Sequence, residues 1–126
     1  MKLVLDSGAL IAVERNDRGM WRRLKAAQLA GDVPLSHGGI VGQAWRGRGA
    51  RAALLSKVLA GVEIHALDDS LGRAAGELLA VSRRSDVIDA ALVLLAHDGD
   101  RIVTSDPDDI EPLAAASGRH VELILA

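Results

Sequence analysis

Five short segments of this chain are rich in valine, isoleucine and leucine, and longer segments with helical spacing separate them. Short aliphatic segments bounded by turn residues are typical of strands that are buried on both faces of a sheet. We therefore predict five strands, over Leu3–Leu5, Val33–Ser36, Val62–Leu67, Arg101–Ser105 and Val121–Leu125.

The longer segments between these strands predict helices, with glycine, proline and aspartate at their ends. Pro107 stands at a favoured first-turn position, and Gly118 is a typical helix-ending residue. Gly47 and Gly49 are expected to break the long central helical region. The predicted helices cover residues 9–14, 18–30, about 39–60, about 70–81, about 86–98 and 107–117.

The alternation of strands and helices predicts an α/β fold. Such an order favours a five-stranded, mainly parallel sheet with helices on both faces. With 126 residues, of which 49% are hydrophobic, the chain has the length and the apolar content of one domain spanning 1–126.

The amino-acid composition excludes several kinds of binding site. The chain has no cysteine, which excludes disulfides and thiolate metal sites, and no phenylalanine or tyrosine. Rows of stacked aromatics therefore cannot bind a nucleic acid here. The net charge of −2 does not by itself indicate a nucleic-acid-binding protein.

The N-terminal segment does not have the pattern of a secretion signal. Asp6 falls inside what would have to be its apolar core. No segment approaches the roughly 20 apolar residues that a membrane span requires. We therefore expect a cytoplasmic protein that does not associate with a membrane.

Three or four aspartates are predicted to meet at one edge of the sheet. Asp6 follows the first strand and Asp106 follows the fourth, and in open α/β sheets ligands bind beyond the carboxyl ends of the strands. Asp86 and Asp89 begin the helix that leads into the fourth strand, so they share a face that opens onto this edge.

Taken singly, most of these aspartates have a purely structural explanation. Asp6 and Asp86 are suitable N-caps, and Asp106 is a suitable turn residue before Pro107. Asp89 differs, because its helix is otherwise almost entirely apolar and a buried carboxylate needs a partner or a metal. Converging carboxylates repel one another without a cation. Oxygen ligands alone favour Mg²⁺ or Mn²⁺.

Basic residues surround the acidic positions along the sequence. An acidic centre surrounded by arginines is what a metal-dependent phosphodiesterase needs, with the arginines holding the substrate backbone, although solvated helix faces are the better explanation for any single cluster. The candidates are Arg15, Arg46, Arg83 and Arg84. The four histidines show no spacing typical of metal ligands, and we interpret them as surface or strand-end residues: His37, His65, His97 and His120.

Three segments, LDSGALIAV, DVIDAALVLLA and IVTSDPDDI, together resemble the PIN domain, specifically the VapC-like toxins of toxin–antitoxin pairs. The likeness runs in the same order and spacing from about residue 3 to 125. It implies a PIN-like fold and a metal-dependent endoribonuclease that leaves 5′-phosphate and 3′-hydroxyl ends. It also implies a homodimer that a cognate antitoxin silences.

The resemblance assigns roles to individual residues of this chain. Asp6, Asp89 and Asp106 match the family's acidic catalytic and metal-binding positions, with Asp86 and Asp108 as candidate additional ligands. Candidate hydrogen-bond donors to the substrate are Ser7, Thr104 and Ser105.

One position departs from the family pattern. Where the family carries a glutamate in the central helical region, this chain has Gln43, and no other acid lies between Asp32 and Glu63. We expect Gln43 to share a helix face with Ile40, Ala44 and Gly47 and to offer the metal a neutral carbonyl oxygen. The departure puts the binding of a second metal ion in doubt more than it does the fold.

Three other functions compete with this interpretation. A response-regulator receiver needs an acidic pair after the first strand and a lysine after the fifth, but here Ser7 and Gly8 follow Asp6 and the fifth strand has no such lysine. A haloacid-dehalogenase-like phosphatase needs the motif D-x-D after the first strand, where this chain has D-S-G. The strongest alternative is a PIN-fold protein that binds RNA or an antitoxin without cutting. For an antitoxin we expect a site over helices within residues 9–60, near Trp21 and Trp45, unless both tryptophans fill the core.

Overall fold

The computed structural model describes residues 1–126 and contains five strands and seven helices. The strands are β1 (Leu3–Leu5), β2 (Leu35–His37), β3 (Glu63–His65), β4 (Arg101–Thr104) and β5 (Glu122–Leu125). The helices are α1 (Ser7–Glu14), α2 (Arg18–Ala30), α3 (Gly38–Ala44), α4 (Gly49–Leu59), α5 (Asp69–Ser82), α6 (Val87–Leu95) and α7 (Pro107–Ser117).

All five strands are parallel and lie in the order β3-β2-β1-β4-β5. The first strand is therefore central, and β1 pairs directly with β4 through Leu3 with Arg101, Val4 with Ile102 and Leu5 with Val103. This confirms the predicted α/β class and the predicted neighbourhood of the first and fourth strands. The connections that leave β1 and β4 run in opposite directions across the sheet, and doubly wound folds form their binding crevice between two such strands.

The helices divide into two layers. Right-handed crossovers place the helices that connect β1, β2 and β3 on one face and those that connect β3, β4 and β5 on the other. The packing agrees, because α1 contacts α2, α3 and α4, while α5, α6 and α7 contact one another. None of the seven helices has the length and apolar character needed to cross a membrane.

The core is almost entirely aliphatic, with 27 buried hydrophobic residues in one cluster. Helix α6 contributes five of them, Ala90–Val93 and Leu95, which makes it the most deeply buried helix. Trp21 is partly buried against this core, whereas Trp45 is 40% exposed. The interpretation in which both tryptophans fill the core therefore holds for Trp21 only.

Two polar side chains hold the backbone at the start of β1, in the turn before β4 and at the end of α6. The buried Asp100 carboxylate accepts hydrogen bonds from the backbone N–H groups of Lys2 and His97, which ties the start of β1 to the turn before β4. The Arg119 guanidinium donates to the carbonyls of Leu94 and Ala96 and so caps the last turn of α6. These contacts end α6 three residues before the predicted position.

Candidate acidic site at the carboxyl edge of the sheet

Asp6 lies where β1 ends and α1 begins, and it is only 4% exposed. One carboxylate oxygen accepts the N–H of Ser7 at 2.7 Å, and the other accepts the hydroxyl of Thr104 at 2.7 Å. The expected capping role of Asp6 is therefore real. Carboxylate oxygens carry further lone pairs, so these two bonds hold Asp6 in place without exhausting its capacity to bind a cation.

Thr104 links the ends of β1 and β4. Its hydroxyl donates to Asp6 and accepts the backbone N–H of Asp106 at 3.0 Å, and the residue is fully buried. The first turn of α1 packs directly against Ser105, since a Cβ on Gly8 would collide with the Ser105 side chain. A glycine after Asp6-Ser7 thus brings the start of α1 against the end of β4.

The Asp106 side chain is exposed and makes no capping hydrogen bond to α7. Its only side-chain contact is a long one, at 3.5 Å from the Ser105 hydroxyl. Asp106 therefore stands in the turn before Pro107, as expected, but its carboxylate does not cap α7, and its oxygens are free to bind another group.

Asp86 caps α6 and presents Asp89 one turn later. A carboxylate oxygen of Asp86 accepts the N–H groups of Ile88 and Asp89 at 2.9 and 3.1 Å. Burial and, after it, the negative charges of Asp86, Asp6, Asp109 and Asp106 raise the pKa of Asp89 to about 7. Four carboxylates therefore lie within electrostatic reach of Asp89, and the sequence analysis selected three of them, Asp6, Asp86 and Asp106.

Asp109 is the acid that the sequence analysis did not select. It lines a small cleft of about 170 Å³ together with Arg84, Asp86 and Asp89. Its neighbour Asp108, which was selected, is exposed in the first turn of α7 and is absent from both the cleft and the charges that act on Asp89. We refer to Asp6, Asp86, Asp89, Asp106 and Asp109 as the acidic centre.

The candidate arginines fall in different places. Arg84 lines the acidic cleft, and the exposed Arg83 precedes it as the left-handed residue that ends α5. Arg46 folds back onto the carbonyls of Gly42 and Trp45 at the end of α3. Arg15 ends α1, roughly 12 Å from the start of that helix at 1.5 Å per residue. The structure thus places Arg84 at the site and Arg15 away from it.

Gln43 lies near the end of α3 and is exposed, while Ile40 and Ala44 are buried. The expectation that Gly47 shares this helix face is wrong, because α3 ends at Ala44 and Gly47 has a left-handed backbone with φ 74° beyond it. Gln43 stands one turn after Gly39, the residue of α3 that approaches Ile88 of α6. This places Gln43 on the side of α3 that faces the start of α6.

His37 is fully buried at the end of β2, so its interpretation as a strand-end residue holds and a surface position does not. Its ring accepts the N–H of Gly39 through Nδ1 and lies 2.9 Å from the carbonyl of Ile88 through Nε2. Burial lowers the pKa of His37, against the opposing effects of the hydrogen bond to Ile88 and of the Asp6 charge. A neutral buried ring is the consequence.

The donor set of the acidic centre fits a hard divalent cation. All its ligating atoms are carboxylate oxygens, which suit Mg²⁺ or Mn²⁺ rather than a thiolate- or imidazole-seeking metal. No three acidic or histidine side chains lie close enough together to enclose one ion. Mg²⁺ does not need such a cage, because it retains several waters and binds through one or two carboxylates together with substrate phosphates.

Comparisons with known proteins support the fold. No protein-family model matches the chain, and no curated protein matches it in sequence. Among solved structures, the chain is similar to VapBC2 from Rickettsia felis, bound to a DNA fragment from their promoter. The likeness has a TM-score of 0.71 at 12% sequence identity and covers 98% of each chain. The molecule therefore has the PIN-like fold that the three sequence motifs predicted.

Proposed function

We propose that this protein is a metal-dependent endoribonuclease of the VapC-like toxin type, with Asp6, Asp89 and Asp106 as its catalytic acids. The observation that carries the proposal is the raised pKa of Asp89, since its causes include the charges of both strand-end aspartates. Chain segments one hundred residues apart bring their carboxylates together at the one edge where this fold type binds ligands.

The contacts of the three aspartates suggest a different part for each in binding a metal ion. Thr104 and the Ser7 N–H hold Asp6 rigidly, so Asp6 supplies a fixed oxygen ligand. Asp106 supplies an oxygen that no cap occupies. Asp89 would bind a cation in its ionised form, because the positive charge would offset the repulsion that raises its pKa. A bound Mg²⁺ or Mn²⁺ would lower the pKa of a coordinated water and polarise the phosphate.

The RNA backbone would lie along the same edge of the sheet. Arg84 borders the acidic cleft and can pair with a phosphate beside the reacting one. Arg83 and the exposed Ser105 are further candidates for backbone contacts. A phosphate bound here adds the oxygen ligands that the acidic centre alone does not converge to supply.

A cleavage assay on structured RNAs across a Mg²⁺ titration tests the proposal. Asp6→Asn, Asp89→Asn and Asp106→Asn should each reduce cleavage by at least about a hundredfold, the usual scale for removing one preorganised electrostatic group. Asp32→Asn is the matched control, because Asp32 lies before β2 at the opposite end of the sheet. Full magnesium-dependent activity of Asp89→Asn would overturn the assignment.

We further propose that an antitoxin segment binds the opposite end of the molecule. A cavity of about 710 Å³ lies between α2 and the end of α4, with Trp21 and Val58 in its wall and Arg22, Lys25 and Lys57 around it. Its largely apolar lining and basic surroundings fit a segment with aliphatic and acidic side chains. The cavity lies within the residues 9–60 where the sequence predicted this partner to bind, apart from Gly61 and Val62.

Charge reversal tests this binding site. A combined Lys25→Glu and Lys57→Glu variant should escape suppression by a co-expressed antitoxin while its own RNA cleavage stays unchanged. The control is Arg73→Glu on α5, in the opposite helix layer. Equal suppression of all three proteins would remove the antitoxin from this cavity.

One observation favours a second function, a PIN-fold protein that binds RNA or an antitoxin without cutting. Gln43 stands in place of the family's glutamate, and no three acids converge around one point. RNA binding that persists without any metal-dependent cleavage would select this alternative.

A further inference from the structure

His37 joins two helices that belong to different layers of the fold. It occupies the N-cap position of α3, where its Nδ1 accepts the Gly39 N–H at 3.1 Å. Its Nε2 lies 2.9 Å from the carbonyl oxygen of Ile88, in the first turn of α6. Since Nδ1 accepts a hydrogen bond, the ring proton belongs on Nε2, which donates it to Ile88.

The packing around the ring is tight. A Cβ added to Gly39 would collide with the end of the Ile88 side chain and would press on the His37 ring. Helix α3 can therefore approach α6 this closely only because residue 39 has no side chain. The imidazole fills the junction and is fully buried there.

The residue that follows Ile88 is Asp89, the half-buried member of the acidic centre. A hydrogen bond to the Ile88 carbonyl therefore holds the peptide unit that joins Ile88 to Asp89. The other end of the ring sets the start of α3, the helix that carries Gln43 one turn after Gly39. Asp6 and His65 are the charged and titratable groups that act on the ring, and they act in opposite directions.

We propose that His37 is a positioning residue: its ring ties α3 to the first turn of α6 and thereby holds the Asp89 backbone in place relative to the other aspartates of the acidic centre. The importance of this role for cleavage rests on the proposed function, whereas the role itself is a statement about the backbone of α6. The side chain does not touch the substrate.

Two substitutions separate the two hydrogen bonds of the ring. His37→Asn retains an acceptor near the Nδ1 position and so keeps the α3 cap, but it cannot reach Ile88. His37→Gln places an amide donor near the Nε2 position and loses the cap. If His37 positions Asp89, Asn should lower cleavage on the order of tenfold to a hundredfold, the scale for small misplacements of reacting groups, and Gln should restore most of it.

A readout that needs no cleavage keeps this inference separate from the proposed function. Amide hydrogen exchange at Ile88, Asp89 and Leu92 should accelerate in His37→Asn and remain close to wild type in His37→Gln. Urea unfolding should rank the variants in the opposite order, because Asn keeps the helix cap. If exchange in α6 and cleavage simply followed global stability, His37 would be an ordinary core residue and the inference would be overturned. A wild type that cuts no RNA would overturn the proposed function alone.

Discussion

In the folded, metal-free protein, the Asp89 carboxyl binds its proton more tightly than an ordinary aspartate does. Its pKa rises from an ordinary value of 3.8 to about 7, first through burial and then through four neighbouring carboxylates. At neutral pH the metal-free molecule therefore contains both forms of this side chain. A cation would bind the ionised form only, so its apparent affinity should increase as the pH rises through 7.

Asp89→Asn is expected to stabilise the metal-free protein at alkaline pH. A raised folded-state pKa contributes stability that is complete below the unfolded value near 4 and is lost as the pH rises through 7. Allowing for solvent screening, the wild type should lose about 1–2 kcal/mol of unfolding free energy between about pH 5 and 8. Asparagine does not ionise and should not show this loss.

Urea unfolding of the metal-free proteins at several pH values measures the effect. Asp108→Asn is the matched control, since Asp108 is not among the charges that act on Asp89. The control should retain the wild-type pH dependence. Parallel curves for the wild type and Asp89→Asn would show that Asp89 has an ordinary pKa.

Gln43→Glu is expected to lower the Mg²⁺ concentration that gives half-maximal cleavage. Gln43 lies one turn beyond Gly39 on the side of α3 near Ile88, so a glutamate adds negative charge close to Asp89. One added charge at contact distance is worth about 1 kcal/mol even in water, or roughly fivefold in affinity. Gln43→Ala should be less harmful than Asp6→Ala, because it removes no charge.

Magnesium titrations of the cleavage rate test this effect. Gln28→Glu on α2 is the control, since it makes the same change beside the cavity at the other end of the sheet. If Gln43→Glu and the wild type gave identical curves, residue 43 would have no part in the site.

At the scale of the elements, the sequence does not predict which carboxylate of α7 enters the acidic cleft. Asp108 and Asp109 both lie in its first turn, and either spacing from Asp106 is compatible with a ligand. Neighbouring helical residues point about 100° apart, so the docking of α7 against α6 decides which carboxylate enters the cleft. That docking depends on contacts between segments far apart in the chain, so the local sequence pattern does not predict it.

Asp109→Asn should therefore lower the pKa of Asp89, and Asp108→Asn should leave it unchanged. Removing one of the negative charges that act on Asp89 makes its ionised form less unfavourable. Carboxyl-carbon NMR titrations of the metal-free variants measure this pKa directly. A larger shift in Asp108→Asn than in Asp109→Asn would reverse the placement of the two side chains.

The strands were more predictable than the side-chain contacts. Aliphatic segments located all five, and the two-residue offset of β2 reflects Pro34, whose missing N–H cannot join the sheet ladder. The positions of Asp6, Asp89 and Asp106 in the fold were predictable, because strand ends and an apolar helix restrict where they can lie. The two hydrogen-bond partners of His37 were not, because a single buried histidine at a strand end has no spacing that reveals them.

At the scale of the whole molecule, exposed aliphatic side chains remain on the outer helices. Leu29 at the end of α2 is 80% exposed and Val81 near the end of α5 is 72% exposed. The segments LKAAQLA and ARAALLSKVLA, which the sequence favours for an interface, belong to the α2 and α4 layer. Apolar surface of this kind usually marks contacts between proteins.

We expect a homodimer at micromolar concentration, with α2 in its interface. Light scattering should give twice the 13.2 kDa of one chain. Leu29→Glu should shift the equilibrium toward the monomer, because it places a charge in an apolar contact, whereas Val81→Glu on the other layer should not. A wild-type protein that remains monomeric under these conditions would contradict the prediction.

The pairing of β1 with β4 also sets the time at which the acidic centre can exist during synthesis. Asp6 leaves the ribosome well before its neighbours on β4 and α7, which follow about a hundred residues later in the chain. Domains fold largely as units when the necessary segments have emerged. A nascent or truncated chain that stops before Asp106 therefore carries Asp6, Asp86 and Asp89 without Asp106 and Asp109, and the assembled centre forms only after β4 and α7 have been synthesised.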